Sequence, residues 1–549
     1  MEDKLVTLHD SNIESQEYIS AFTKNPDTKF KKGMYVKIEK NSNSFWIGVI
    51  STPNSNICPI SQDQLDPMVL TALYEGTHKK TTIEQLGVHQ TFKIKLLKFC
   101  NIETDENNED FYEFQMIVDR PLFGAVITEL TQREIEELLK VPKFEKNNAI
   151  GYAQSIDNLP ICIDKKILHT HILVSGSTGS GKSNVNANLM KVARSLGKAI
   201  IIHDAKPDFN NIKLKNDEVI KKSKKVKEIE EKFNYKAEGM NKVINISFKG
   251  VEDEENKNRI IYFKPDKFTP EEYCNLFFYE EGEENQYEEL LGIILENNLY
   301  NYQDGVRYLS NNFFINDILN KVKEKKEINP STQKTIVSKI KRRINFFPWL
   351  IEDDKKLEKE KKKYFNGFSE IISAAFNNMN TPPIFLINYE GQGMEITYAF
   401  MLNKLLKEIQ NYRDEVYNNK NNYKYQYEVV QVIDEAHRLF EGKSKTFRAE
   451  LINSFNKVIK EGRVKKHSLI VSLQNASEVP DTALNNFGTK IALRQQSIKE
   501  AQISTQGMHS GSDNQVLKLS AGEFLIKYPS GEYTFLAKGF MSPFQLRRE

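Results

Sequence analysis

The sequence predicts an α/β protein with a parallel sheet, a helical insertion into that sheet and a small β-barrel before it. Three observations support this fold class. An apolar strand, a glycine-rich loop and a helix follow one another between residues 171 and 196. Apolar runs return after residue 380, beyond a long stretch with helical spacing. Between residues 30 and 119, short runs of alternating apolar residues are typical of antiparallel strands.

At 549 residues the chain is long enough for more than one domain. We expect a loose polar arm (1–28), a β-barrel domain (29–145), a first part of the α/β core (146–265), a helical insertion (266–380) and a second part of the core with C-terminal strands (381–549). Because the insertion is too long for a bare loop, we expect it to be a subdomain in its own right.

The predicted barrel is based on four short strands, with a helix after them. The helix begins at Thr131, whose hydroxyl can cap it, with Glu134 placed three residues on to complete a capping box. The strands are Tyr35–Ile38, Phe45–Ile50, Thr91–Leu97 and Tyr112–Val118. Such a succession predicts a small antiparallel barrel or sandwich.

The composition is that of a globular protein, with 39% hydrophobic and 28% charged residues and a formal net charge of +2. No apolar run is long enough for a transmembrane helix, and the N-terminus lacks the features of a secretory signal. We therefore expect a cytoplasmic protein without membrane segments. Four scattered cysteines, Cys58, Cys100, Cys162 and Cys274, predict reduced and mostly buried thiols.

A phosphate-binding loop follows the strand Ile172–Val174, because Gly176, Gly181, Lys182 and Ser183 match the pattern G-x-x-x-x-G-K-[ST]. A helix from Asn184 to Leu196 comes next. Backbone N–H groups of such a loop surround the phosphates of ATP, the lysine meets the β- and γ-phosphates, and the serine hydroxyl holds Mg²⁺. The expected nucleotide-binding residues are Gly176, Ser177, Thr178, Gly179, Ser180, Gly181, Lys182, Ser183 and Asn184.

A second motif consists of two acidic residues, Asp434 and Glu435, directly after the strand Glu428–Ile433. An acid at this place in P-loop proteins holds Mg²⁺, so Asp434 and Ser183 are the expected metal residues. Glu435 follows directly and is the expected general base for the attacking water. A strand that ends in two acids is a weak signal alone, but it gains specificity from the phosphate loop upstream.

Two further residues complete the expected catalytic set with Lys182 and Glu435. Arg463 precedes the strand Leu469–Gln474 and is a candidate arginine finger, with an ordinary surface arginine in a basic turn as the alternative. Gln474 ends that strand and would face the phosphates as a sensor. Asp204 and Asp208 also follow a strand; a role beside the site and a structural turn are both open.

Together these motifs resemble the HerA branch of the HerA/FtsK superfamily of DNA-pumping ATPases. The resemblance extends from about residue 30 to 545 and is strongest in 150–210 and 425–525. Its marks are Gly176–Asn184, Asp204–Asp208, Val432–His437, Glu461–Arg463, Ser472–Gln474, Asn486–Arg494 and Leu519–Glu523, with Lys32–Ile38 similar to the opening of the family's HAS-like barrel. Two features depart from the family pattern: valine follows Arg463, and Leu473 separates Ser472 from Gln474.

The resemblance implies a RecA-like core, a homohexameric ring with ATP and Mg²⁺ between subunits, and Arg463 acting on the neighbouring site. It also implies double-stranded DNA in the pore, and a separate effector, such as a nuclease or a sirtuin-type NADase, docked on the N-terminal barrel. The expected function is an ATP-driven DNA translocase or helicase in DNA processing or anti-phage defence.

Two other interpretations stay open at this point. The ring could regulate and scaffold an anti-phage effector through ATP, with little DNA pumping. A coupling ATPase for conjugation or secretion is less favoured, because such proteins carry or contact membrane segments. Candidate DNA contacts are the basic stretches Lys339–Arg343 and Lys213–Lys225, although lysine runs are commonly only solvated surfaces.

Overall fold

The chain folds into two compact units in a computed structural model. Unit 1 comprises Met1–Lys143, Gly151–Ile161 and Ser530–Lys538, and unit 2 comprises Phe144–Ile150, Cys162–Pro529 and Gly539–Glu549. The structure describes residues 5–8, 18–23, 30, 34–54, 90–104, 110–122, 124–153, 159–216, 224–248, 259–303, 305–311, 313–352, 364–369, 372, 381–389, 394–418, 427–479, 481–509, 511–529 and 534–546.

Unit 1 is built from antiparallel strands followed by one helix. The elements are β1 (Leu5–Leu8), β2 (Tyr18–Thr23), β3 (Tyr35–Asn41), β4 (Ser44–Asn54), β5 (Gln90–Thr104), β6 (Asp110–Gln115), β7 (Val126–Glu129) and α1 (Gln132–Leu139). The strands pair in the order β2-β1-β7-β3-β4-β5-β6, and an additional pairing of β2 with β5 closes a ring of six strands. Val36, Ile38, Trp46 and Ile94 are buried in its core.

The four predicted strands correspond to β3, β4, β5 and β6, and the predicted helix is α1. Thr131 Oγ1 accepts a hydrogen bond from the Glu134 N–H, and the Glu134 carboxylate accepts one from the Thr131 N–H, so the capping box is present. The expectation of a loose arm over residues 1–28 is wrong where the structure describes that stretch. There β1 and β2 pair with each other and with β7 and β5, because the sheet supplies partners that the local sequence does not reveal.

The strands of the second half of the fold begin at residue 149. In chain order they are β8 (Ala149–Ala153), β9 (Pro160–Cys162), β10 (Ile172–Ser175), β11 (Ala199–Asp204), β12 (Val243–Phe248), β13 (Arg259–Tyr262), β14 (Tyr300–Gln303), β15 (Val306–Leu309), β16 (Tyr364–Asn366), β17 (Ile384–Asn388), β18 (Val429–Ile433), β19 (His467–Leu473), β20 (Thr489–Leu493), β21 (Glu523–Lys527) and β22 (Thr534–Gly539). The chain passes between the two units within β8, β9 and β22.

The helices after α1 all belong to unit 2. They are α2 (Lys165–Leu168), α3 (Lys182–Ser195), α4 (Lys224–Lys232), α5 (Pro270–Phe277), α6 (Glu284–Glu296), α7 (Ile315–Glu324), α8 (Pro330–Arg343), α9 (Met394–Asn418), α10 (Lys445–Lys465), α11 (Asp481–Leu484), α12 (Ile498–Ser504) and α13 (Ser512–Val516). None of the helices in the described ranges is both long and apolar enough to cross a bilayer.

The sheet of unit 2 runs β16-β13-β12-β17-β11-β18-β19-β10-β20-β21. The pairings are parallel except for that of β20 with β21. Every residue of β10, β11, β18, β19 and β20 is buried, as continuous apolar strands covered on both faces require. The predicted parallel α/β core is confirmed, and β12 and β13 extend it beyond the strands that the sequence had indicated.

The helical insertion contains α5, α6, α7 and α8 with the hairpin β14–β15. Its apolar residues Leu290, Ile318 and Ile336 belong to the same buried cluster as Phe248 and Ile261 of the sheet. The insertion therefore does not have a core of its own, contrary to the expectation of an independent subdomain. In addition, β16 lies within the expected insertion range of 266–380 but pairs with β13 at the edge of the sheet.

The cysteines that the structure describes, Cys100, Cys162 and Cys274, are buried and form no disulfide within the described ranges. Burial raises the pKa of Cys100 to about 12, and neighbouring Glu134 and Glu113 act in the same direction. Such thiols are unreactive packing residues at neutral pH. The fourth cysteine, Cys58, lies outside the described residues, as does most of the charged run at 352–363.

Candidate functional site

The phosphate loop connects β10 to α3 at the carboxyl edge of the parallel strands. Gly179 and Gly181 have φ angles of +70° and +107°, which side chains rarely tolerate. A Cβ on Gly176 would lie 2.6 Å from Ser180 Oγ and 2.8 Å from Leu493 Cβ, so only glycine fits there. No side chain caps the start of α3. Its N–H groups are therefore available to an anion, with the positive end of the helix dipole behind them.

Lys182 lies within this loop and is nearly completely buried. Its Nζ donates hydrogen bonds to the backbone oxygens of Gly176 (2.7 Å) and Ser177 (3.2 Å). Burial lowers its pKa, while the charges of Glu435 and Asp434 oppose that shift. The ammonium is thus held inside the loop, at the place where a bound phosphate chain would need a cation.

Asp434 directly follows β18 and is buried beside the loop. One of its oxygens, Oδ1, accepts a hydrogen bond from the Ser472 hydroxyl of neighbouring strand β19. Burial raises the pKa of Asp434 to about 6; the Ser472 hydrogen bond opposes the shift and the nearby carboxylates of Glu435 and Asp208 add to it. A carboxylate that resists ionisation in this way is stabilised by a bound cation.

Glu435 has a strained backbone and an unsatisfied side chain. Its φ is +51°, in the left-handed region that non-glycine residues seldom occupy outside functional sites. Among the described residues, its buried Oε2 has no hydrogen-bond partner. Three cationic or titratable groups approach this oxygen: Lys206 Nζ at 3.4 Å, His437 Nε2 at 3.5 Å and Arg438 Nε at 3.8 Å. The oxygen is thus surrounded by cationic or titratable groups within 4 Å, without a hydrogen bond to any of them in the described part of the chain.

Asp204, the last residue of β11, and Asp208, four residues later, have different roles. Asp204 accepts hydrogen bonds from the N–H groups of Asp208 (3.2 Å) and Phe209 (3.0 Å) and so forms the turn. Asp208 extends to the phosphate loop, where its Oδ2 accepts a hydrogen bond from Ser183 Oγ at 3.0 Å. The sequence left two alternatives open for this pair, and each applies to one residue: Asp204 forms a structural turn and Asp208 lies in the site.

Gln474 follows β19 at the same edge as the phosphate loop. The N–H of Gly176 donates to the Leu473 oxygen at 3.1 Å, which places Gln474 beside the start of the loop. The backbone N–H of Gln474 is 3.4 Å from His437 Nδ1, and its side chain is half-buried. Gln474 therefore lies near the loop despite the extra residue Leu473 in the motif, and its role as a sensor stays a prediction.

Arg463 lies at the opposite edge of the sheet. It is exposed in the last turn of α10, just before β19 starts at His467. Because β19 runs parallel to β10, the seven residues from His467 to Leu473 separate Arg463 from the phosphate loop by about 23 Å. Arg463 is therefore not part of the site of its own chain, and it is on a helix and not in a basic turn.

The C-terminal part of unit 2 packs against the phosphate loop, which sequence reasoning missed. The Gly522 N–H donates to the Ser180 oxygen at 2.8 Å. The amides of Asn184 and Asn188 both donate to the backbone oxygen of Phe540, at 2.5 and 2.9 Å. The motif Leu519–Glu523 was the available signal, but its contact with the loop spans more than 300 residues of chain. The Asn184 side chain thus holds the C-terminal segment.

The side chains around the loop fit a Mg²⁺ ion that is shared with a nucleotide. Within the described ranges, no group of three or more His, Cys, Asp or Glu residues could hold a metal alone. The site offers the Ser183 hydroxyl, the Asp434 carboxylate and Asp208 behind Ser183. Mg²⁺ is commonly held by one or two carboxylates with phosphates and water, so this oxygen-rich set is suitable.

Residues 148–409 match the family model described as the helicase HerA central domain. Among solved structures, the plasmid coupling protein TrwB in complex with ADP and Mg²⁺ is 11% identical, with 75% of this chain and 94% of that chain covered and a TM-score of 0.45. VirB4 of Thermoanaerobacter pseudethanolicus is 13% identical over 73% of this chain and 98% of that chain, with a TM-score of 0.42. The genome packaging NTPase B204 from Sulfolobus turreted icosahedral virus 2, in complex with ATP-gammaS, is 14% identical over 32% of this chain and 74% of that chain, with a TM-score of 0.22.

No curated protein sequence matches this chain. The family match covers the phosphate loop, with Lys182 and Ser183, and also Asp204 and Asp208.

Proposed function

We propose that this chain, which belongs to the HerA/FtsK superfamily of P-loop ATPases through its HerA-type central domain, is the subunit of a ring that uses ATP hydrolysis to move double-stranded DNA. The observation that carries the hydrolytic step is the buried oxygen of Glu435, which has no hydrogen-bond partner among the described residues. It lies beside Lys182 and Asp434, whose charges act on each other.

Each residue of the site has a separate task in this proposal. The N–H groups of the loop and of α3 bind the phosphates, and Lys182 leaves its backbone partners to contact the β- and γ-phosphates. Ser183 and Asp434 would hold Mg²⁺, which would neutralise charge on the phosphates. Glu435 accepts the proton of the attacking water, and Gln474 contacts the γ-phosphate from the adjacent strand.

The position of Arg463 supports the proposed ring. This side chain is about 23 Å along β19 from the phosphate loop of its own chain, so it can stabilise the transition state only at a neighbour's site. A repeated head-to-tail contact of this kind forms a ring where its rotation closes, and we propose that it does so here. The family resemblance supports six subunits, with DNA in the central pore.

The barrel of unit 1 is the proposed docking surface for a separate effector, such as a nuclease or a sirtuin-type NADase in anti-phage defence. The second candidate function is an ATP-gated scaffold that controls such an effector without processive DNA movement. It has the same hydrolytic site, so the two candidates differ in what DNA does to the rate of hydrolysis.

The decisive experiment measures ATP hydrolysis by the purified chain with and without linear duplex DNA, beside the Glu435→Gln variant. Strong stimulation by DNA that disappears in the variant supports the translocating motor with Glu435 as its base. Hydrolysis that is abolished in the variant but indifferent to DNA supports the scaffold. Full hydrolysis by Glu435→Gln would refute the assignment of the base.

Action of Arg463 at a neighbouring site is tested by mixing inactive variants. Arg463→Ala and Lys182→Ala should each be inactive alone, because each lacks part of every site. In mixed rings, some Arg463→Ala subunits have an intact loop and receive an arginine from a Lys182→Ala neighbour. We expect mixing to restore part of the activity, and no recovery in rings proven to be mixed would contradict the proposal.

A further inference from the structure

The helices α7 and α8 of the insertion form a strongly basic hairpin. Residues 315–343 contain nine lysines and arginines but only three acidic residues. A groove of about 640 Å³ lies on this hairpin, lined by Lys323, Lys334, Lys341 and Arg342 with the apolar side chain of Val337 among them. None of the acids of the hairpin lines it. We call it the basic groove.

Three other cations of the hairpin have structural partners. Lys339 forms an ion pair with Glu283, and Arg343, which is 1% exposed, pairs with both Glu283 and Glu280 at 2.7 Å. Lys325 pairs with Glu296 at 2.6 Å. Within the basic stretch Lys339–Arg343, the first and last residues therefore form ion pairs inside the insertion, whereas Lys341 and Arg342 line the basic groove.

The four cations of the basic groove differ from these. All of them are exposed, and no hydrogen bond or ion pair of their side chains exists in the part of the chain that the structure describes. Four unneutralised positive charges around one groove repel one another, an arrangement that is relieved by a polyanion. The positive charges of the groove thus have no acidic partner in the described part of the chain.

The spacing of the cations suits a nucleic-acid backbone. On α8, Lys334, Lys341 and Arg342 are seven and eight residues apart and therefore share one face of the helix. At 1.5 Å per residue they span about 12 Å. This length corresponds to three or four phosphates of one DNA strand, which are about 3.4 Å apart along the duplex axis. Ser338, also in the groove, can donate a hydrogen bond to a phosphate oxygen.

We propose that the basic groove binds the phosphate backbone of duplex DNA without reading its sequence. This inference rests on the proposed function and adds to it a DNA-binding element in the helical insertion, separate from the ATP site. Contacts of this kind depend on charge alone, so affinity should be strongly salt-dependent and indifferent to base composition.

The test uses the full chain and a short fluorescent blunt duplex, with affinity measured over a series of salt concentrations. In the variant, Lys323, Lys334, Lys341 and Arg342 are all replaced by Gln. The charge-matched control replaces four exposed cations elsewhere in unit 2 by Gln: Lys166, Lys445, Lys499 and Lys518. ATP hydrolysis without DNA is measured for both, and it should equal that of the unsubstituted chain because no substituted residue lies in the ATP site.

We expect the groove variant to bind the duplex at least about tenfold more weakly at low salt. The slope of log affinity against log salt should become less negative by about 0.9 for each DNA phosphate that the variant no longer neutralises, up to about 3.6. The control should change neither quantity appreciably.

Unchanged affinity and slope in the groove variant, with duplex binding intact in the unsubstituted chain, would overturn the groove assignment alone. Failure of the unsubstituted chain to bind duplex at low salt would overturn both this assignment and the DNA part of the proposed function.

Discussion

Lys206 is the nearest cation to the proposed catalytic base, and replacing it with alanine should slow hydrolysis. Its Nζ lies 3.4 Å from Glu435 Oε2, an oxygen without a hydrogen-bond partner among the described residues. The Lys206 side chain is 33% exposed and that of Glu435 is 6% exposed. We interpret Lys206 as a positioning residue that holds the carboxylate at the phosphates.

The size of the effect follows from the charge pair and its exposure. Two unit charges about 4 Å apart interact by about 4 kcal/mol at an effective dielectric constant of about 20. Exposed ion pairs, which water screens, contribute up to about 1 kcal/mol. For a lysine that is one-third exposed, we expect about 1.4 kcal/mol, which corresponds to a tenfold lower kcat.

The assay is steady-state ATP hydrolysis by Lys206→Ala and Lys206→Arg, with Lys213→Ala as the control at an exposed lysine of the same segment. The alanine variant should show an about tenfold lower kcat with little change in KM, and arginine should recover most of the rate because it keeps the charge. An unchanged kcat in Lys206→Ala would refute the reasoning. A change confined to KM would instead assign Lys206 to nucleotide binding.

Three further predictions concern stability and metal binding. A Cβ on Gly462 would lie 2.2 Å from the His467 oxygen, whereas a Cβ on Gly292 would have its nearest neighbour at 3.9 Å. Gly462→Ala should therefore destabilise the fold by about 1–3 kcal/mol, and Gly292→Ala should stabilise it by about 0.5–1 kcal/mol. Thermal unfolding of the two variants measures both effects. Burial lowers the pKa of His171 to about 4 and of His203 to about 3, so both stay neutral in the folded chain while the unfolded chain takes up protons below pH 6.5. Stability should therefore fall between about pH 6.5 and pH 4 by about 1.4 kcal/mol per histidine and pH unit, and a flat denaturation midpoint over that range would contradict this. Asp208→Asn weakens the acceptor of the Ser183 hydroxyl and should raise the Mg²⁺ concentration needed for nucleotide binding by about tenfold. A fluorescent ATP analogue measures this binding. An unchanged dependence of binding on Mg²⁺ would exclude a role for Asp208.

Much of the candidate site could be predicted because its signals are local. The phosphate loop depends on glycines and a lysine within eight consecutive residues, and Asp434 and Glu435 directly follow the apolar strand that positions them. The capping box at Thr131 is similarly contained in four residues. In each case, residues adjacent in the chain are also adjacent in space, so the pattern determines the geometry.

Other features needed contacts between residues that are distant in the chain. Asp204 and Asp208 are both acidic residues beyond a strand, and only the approach of Ser183 separates the structural one from the one in the site. Lys206 drew no attention in the sequence, since the motif does not show that Glu435 is beside it. The motif near Gly522 gave no indication that its N–H holds the phosphate loop.

The sequence by itself determined the α/β class, the identity of the phosphate loop and the acids that accompany it, because strand and loop propensities act over a few residues. Tertiary structure decided that β2 closes the ring of unit 1 on β5, that the insertion shares the core of the sheet, and that Arg463 lies at the edge opposite its own loop. These depend on which apolar surfaces and strand edges pair across long stretches of chain. Many pairings satisfy the same local pattern, and the packing of the whole unit selects among them.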